Sequence, residues 1–132
     1  MDGVRSEKGE DKEKKELILS LEKGIAICQW IQAGAVFTEA VLLTRLYFLN
    51  GESSAEQKIL AGIWTQTIGQ LMEAHGVTKQ IMNLNDISQL KAQKLTVAGD
   101  ILQSLGSGLQ AIGGEEALIS EGIGKMFETI IL

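Results

Sequence analysis

Apolar residues recur at helical spacing from Leu17 to Leu49, and from about Asp11 onward only Gly24 and Gly34 oppose a helix before the polar stretch Asn50 to Ser54. This predicts one long helix closed by a turn. Ser54 stands three residues before Gln57, the spacing of a capping box, so a second helix is predicted from about Ala55 to Met82. Asn83 to Asp86 reads as the next turn, with Asp86 the N-cap of a third helix reaching Ile112. Gly113-Gly114 would end that helix, and Glu115-Glu116 suits the first turn of a shorter fourth, where carboxylates face the positive end of the helix dipole. The expected fold is all-α, an antiparallel bundle of about four helices.

At about 100° per residue, Ile68, Leu71, Met72 and His75 fall within about 80° of Trp64, and Ile101, Leu105, Leu109 and Ile112 share one arc of the third helix. These arcs are the predicted core faces, and they name Trp30, Trp64, Ile68, Leu71, Leu105 and Leu109 as core. The opposite faces are unusual. Gly62, Gly69 and Gly76 lie beside Gln66 and Glu73 on one helix; Gly99, Gly106 and Gly113 lie beside Gln103 and Gln110 on the next. A glycine inside a helix costs about 0.8–1 kcal/mol relative to alanine, so three in one helix need an offsetting gain. Close approach of a neighbouring backbone supplies one. The expectation is a helix-packing seam of Gly62, Gly69, Gly76, Gly99, Gly106 and Gly113, with Gln66 and Gln103 hydrogen-bonding across it, inside the chain or between chains; the alternative is that the stripe is the tolerant, water-facing side of each helix.

The two glycine-bearing stretches are copies of each other at an offset of 37 residues, matching at Gly62/Gly99, Gln66/Gln103, Gly69/Gly106, Ala74/Ala111 and Gly76/Gly113. A divergent third copy lies upstream, where Trp30, Gln32, Glu39 and Ala40 align with Trp64, Gln66, Glu73 and Ala74. There the glycine places hold Cys28, Ala35 and Leu42. Gly122 and Gly124 echo the start of the repeat near the C-terminus. Repeated units of about 35 residues are therefore expected.

With 132 residues the chain fits one domain, 45% apolar and without proline. Residues 2 to 16 carry six acids and five bases, and residues 1–12 read as a charged, flexible arm ahead of a single helical domain over 13–132. A net charge of −5 and the lack of a basic cluster argue against nucleic acid as partner. The opening charges are unlike a secretory signal, which makes a cytoplasmic location the expectation.

Little in the chain suggests chemistry. One cysteine and one histidine leave no multi-thiolate site and few acid–base schemes. Glu39 and Glu73 hold equivalent repeat positions, but a helical di-metal site uses Glu-x-x-His, and Glu73-Ala-His75 has the wrong spacing. His75 reads as a core-edge histidine, Cys28 as a small buried residue, and Trp30 and Trp64 as core anchors. The glycines form no phosphate-binding loop. No catalytic residue, metal or cofactor is expected.

The stretches Trp30-Ile-Gln-Ala-Gly34, Gly62-Ile-Trp-Thr-Gln-Thr-Ile-Gly69 and Gly99 to Gly113 resemble the small glycine/tryptophan/glutamine-rich "repetitive proteins" of spore-forming bacilli, a family of unknown function. The resemblance implies a bacterial protein and carries no activity with it. The expected role is that of a non-enzymatic structural or protein-interaction protein, self-associating through glycine-lined helix faces or binding another protein. Its rival is membrane association: Gly24 to Thr44 runs about 21 residues broken by one acid, Glu39, close to the length that spans a bilayer.

Overall fold

The computed structural model describes residues 2–51, 53–82 and 85–131. It contains three helices, α1 (Asp2–Asn50), α2 (Ser54–Ile81) and α3 (Asp86–Ile131), and no strand among the described residues. At 1.5 Å per residue they are about 74, 42 and 69 Å long.

The turns fall where the sequence placed them, with the caps one residue earlier. Ser53, extended at φ −122°, caps α2 by accepting from the Glu56 N–H at 3.1 Å. Asn85 Oδ1 accepts from the Ser88 N–H at 2.9 Å at the start of α3. Gly51 supplies a left-handed residue (φ 86°) at the end of α1. Asn83 and Leu84 of the expected second turn lie outside the described residues.

Three expectations are corrected. The fourth helix does not exist: α3 runs straight through Gly113-Gly114. A Cβ at Gly113 would lie 2.8 Å from the Ala55 carbonyl oxygen, so this glycine packs a helix against α2 and does not end one. Units of about 35 residues are not the building blocks either, since the helices are 49, 28 and 46 residues long. The charged lead-in, expected to turn helical near Asp11, is helical from Asp2 and has nothing packed on it.

The helices form an antiparallel layer with α2 in the middle; α1 and α3 each pack on α2 and not on each other. Along α1 and α2, Gln57 meets Tyr47, Trp64 meets Thr44, and Thr78 meets Trp30. Along α2 and α3, Gly62 meets Gly106 and Gly69 meets Gly99. The long helices overhang at opposite ends, α1 with its N-terminal third and α3 with the stretch after Glu116.

The predicted core is also corrected. Ile68 is 53% and Leu105 61% exposed; Trp30 and Leu71 are exposed, and Trp64 and Leu109 only half-buried. Apart from Ile63 of α2, what the layer buries is small or polar: Ala26, Ala33 and Ala40 of α1, Ala55, Thr67, Gln70 and Ala74 of α2, Ala92 of α3, and the six glycines. Apolar periodicity marks which side of a helix is apolar; in a single layer of helices that side need not meet a neighbour. The chain exposes 9706 Å², where a compact monomer of its 14.3 kDa exposes about 6,800 Å².

Candidate interaction surfaces of the helical layer

Between α2 and α3 the backbones touch. A Cβ at Gly62 would stand 2.6 Å from the Gly106 carbonyl oxygen, one at Gly69 2.6 Å from that of Gly99, and one at Gly99 2.5 Å from that of Gly69. A Cβ at Gly76 would collide with the Thr96 hydroxyl and lie 2.9 Å from the Ala92 carbonyl oxygen. No residue but glycine fits these places without moving a helix. The two glycine faces thus occupy each other within one chain, which leaves neither free for a second copy.

Amide and carboxylate side chains flank the contact. Gln110 donates to Gln66 Oε1 at 2.6 Å, and Gln103 donates to Glu73 Oε2. The other oxygen of Glu73 accepts from Gln29 of α1 at 2.9 Å, and Gln70 donates to Gln29 Oε1 at 2.5 Å. Glu73 therefore ties all three helices together. Gln66 and Gln103, singled out from sequence, belong to this ladder; Gln29, Gln70 and the bridging role of Glu73 had no sequence signal beyond being polar beside small residues.

At about 100° per residue, the glycines of α2 lie about 130° around the helix from Ile63, Thr67, Gln70 and Ala74, which face α1. The two neighbours of α2 are thus less than a half-turn apart, and the layer is bent. Its concave side carries the Gln/Glu ladder. Its convex side carries Trp30, Phe37 and Val41 of α1, Trp64, Ile68 and Leu71 of α2, and Ile101, Leu105, Leu109 and Ile112 of α3. Most of these are exposed. Phe37 stacks edge-on against Trp64 at 6.1 Å between centroids. Both indole N–H groups are turned into the layer, Trp30 donating to Thr78 at 2.9 Å and Trp64 to Thr44 at 3.0 Å. His75, expected at the core edge, is exposed on this face.

Cys28, expected buried, is exposed. With Ala35 and Leu42 it lies on the side of α1 opposite Ala26, Ala33 and Ala40, away from α2. At the start of α2, Lys58 is paired with Glu116 of α3. The hydrogen bonds of Lys58 and Ser54 hold the Glu116 carboxyl below the ordinary carboxylate range. A small apolar pocket of about 190 Å³ lies between α1 and α2, lined by Leu43, Leu46, Tyr47, Glu56, Ile59 and Leu60. Among the described residues no three His, Cys, Asp or Glu side chains converge on one point.

No curated protein and no solved structure matches this chain. A family of unknown function, DUF6944, matches residues 57–130. That segment takes in almost all of α2 and α3, the two helices joined through glycine, and leaves α1 outside. Since it is more than half of the 132 residues, the chain belongs to the DUF6944 family of unknown function.

Proposed function

We propose that this chain works by association and not by catalysis, and that its convex face lies on a lipid surface. The observation that carries the reading is the row of large exposed apolar residues on the convex side, Trp30, Phe37, Ile68, Leu71, Ile101, Leu105 and Ile112, while the helix contacts are made mostly by small and polar residues. A chain meant to stand alone in water buries its large apolar residues first. Helices joined by small residues and interhelical amide bonds, with apolar side chains outward, suit an apolar solvent.

Curvature favours lipid over a second copy as the cover for this face. Two convex layers meet along their middle helices alone, whereas acyl chains conform to the whole surface. Turning the tryptophan N–H groups inward spares the lipid any unpaired indole donor.

The layer lies along the surface and not across it. Of the described helices only α1 is long and apolar enough to cross a membrane. At about 74 Å it is more than twice the thickness of a hydrocarbon core. Glu39 of α1 and Asp100 of α3, both exposed, remain in water in this orientation. Since the net charge of the whole chain is −5, we take apolar burial as the larger part of what holds it on the lipid, and we expect no nucleic-acid partner. We further propose that the paired glycine helices, within the matched segment, carry the likeness to the glycine/tryptophan/glutamine-rich proteins of bacilli.

Flotation with vesicles tests the reading. The chain should rise with neutral phosphatidylcholine vesicles, resist high salt, and be released at alkaline pH as a surface-bound protein is. Failure to float with any vesicle would end the proposal, and resistance to alkaline extraction would replace it with a spanning α1.

A further inference from the structure

The layer has a free edge along α1. Opposite the alanines that meet α2, this helix presents Leu17, Leu21, Cys28, Ala35, Leu42 and Leu46, all exposed. Gln32 and Glu39 stand on the concave shoulder of the edge, four residues after Cys28 and Ala35. The α2–α3 contact is built the same way. Gln66 and Glu73 follow Gly62 and Gly69 by four, Gln103 and Gln110 follow Gly99 and Gly106 by four, and antiparallel pairing brings Glu73 to Gln103 and Gln66 to Gln110.

We infer that the α1 edge pairs antiparallel with the same edge of a second copy of this chain, about a two-fold axis normal to the layer. The in-chain contact fixes the register. With Cys28 of one copy opposite Ala35 of the other, Gln32 of each meets Glu39 of the other, and both contacts repeat the amide–carboxylate bond of Gln103 with Glu73. Leu21 then faces Leu42 and Leu17 faces Leu46, so apolar meets apolar over an edge about 45 Å long. A slide of one heptad in one direction sets Glu39 against Glu39; in the other it sets Gln32 against Gln32 and leaves Glu39 without an amide. All three registers are two-fold symmetric, and the one that sets Cys28 opposite Ala35 is the one that gives both Gln32 and Glu39 a partner.

The two-fold axis keeps the convex faces of both copies on one side, giving a six-helix layer whose polar ladder continues from one copy to the next. The pairing does not rest on the lipid reading, and its test uses none. The full chain is sedimented in buffer free of lipid and detergent over a range of concentrations, beside Gln32→Glu and the double variant Gln32→Glu/Glu39→Gln. The single change places two carboxylates against each other at both contacts and should raise the dimer Kd by about tenfold or more; the double change swaps donor and acceptor and should restore dimerisation to near the parent value. Both positions are exposed, and circular dichroism checks that helicity is unchanged. A parent chain that stays monomeric throughout overturns the inference. So does a dimer indifferent to Gln32→Glu, or a double variant as weak as the single one. Flotation is decided separately, so either idea can fail alone.

Discussion

Replacing Gly106 by alanine puts a methyl carbon about where the Gly62 carbonyl oxygen lies 2.5 Å away and the Gln66 nitrogen 2.6 Å away. Both are backbone atoms inside α2, so no side chain can swing aside and the helices must part. Overpacking of this kind costs about 1–3 kcal/mol, and alanine's better helix propensity returns about 0.8–1 kcal/mol. Separation of the backbones also stretches the Gln110–Gln66 bond, worth about 1 kcal/mol. The expected net loss for Gly106→Ala is about 1–3 kcal/mol. Gly108, two residues along the same helix, has nothing within 4 Å of its would-be Cβ, so Gly108→Ala should stabilise by about 0.5–1 kcal/mol. Urea melts of the two single variants, with unchanged m values, give opposite signs if the reasoning holds. Stabilisation by Gly106→Ala as large as that by Gly108→Ala would refute it.

On the concave side, Glu73→Ala strips Gln29 and Gln103 of their acceptor and should destabilise by about 1–3 kcal/mol, read from the same melts; a loss under a few tenths would mean that the ladder contributes little. On the convex side, Leu71→Lys should weaken vesicle binding about tenfold or more, since burying one leucine is worth about 1.5–3 kcal/mol; tryptophan emission on titration with vesicles measures it, with helicity in buffer unchanged. Glu116 has a depressed folded-state pKa, so its pairing with Lys58 contributes at pH above the unfolded-state value and is lost as pH falls through the lowered one. Lys58→Ala should therefore move the Glu116 carboxyl titration upward, as seen by NMR, and flatten that part of the acid unfolding curve.

The helix ends around Asn50 and Met82 were legible because turn and cap residues act locally: Gly51, Ser53 and Asn85 do there what such residues do in isolated peptides. The glycine positions on facing helices were legible too, as a cost that demanded a gain. The end of α3 was misread because Gly113-Gly114 has two meanings. As a local signal the pair stops a helix; beside Ala55 and Ile59, Gly113 lets one approach another. Only the register of α2 against α3, a tertiary fact, chooses between them. The burial of Ile63 and Thr67, each 1% exposed, in place of Ile68 and Leu71 has the same origin. All four lie on α2, and which of them meets α1 depends on the angle at which α1 docks.

That angle has a consequence for the whole molecule. Helices in a closed bundle surround a common axis, and each turns its widest apolar arc inward. Here α2 has neighbours about 130° apart, and the contacts are narrow because glycine and alanine bring the axes close. A narrow contact hides little of each helix, so most of the apolar arc is left over. In α3 that leftover continues past the end of α2, where Leu118, Ile119, Ile123, Met126, Phe127 and Ile130 remain exposed. At about 100° per residue these fall on one side of the helix, with Ser120, Glu121, Lys125 and Glu128 on the other. The overhang is thus amphipathic in its own right, and its apolar arc includes the direction of Ile101, Leu105 and Ile112 on the convex face. From Ile101 to Ile130 an apolar stripe runs along α3, flanked midway by Glu115 and Glu116. A truncation after Glu116 should leave the α2–α3 contact and its urea midpoint nearly unchanged, because the close backbone contacts with α2 end at Gly113 and what α2 brings to the overhang is the Lys58 side chain, beside Ile119 and Ser120. It should still cost vesicle affinity about tenfold or more, since several large apolar side chains leave the stripe. Equal loss of stability and affinity would mean that the overhang folds back on the layer, and the stripe would then have no separate role.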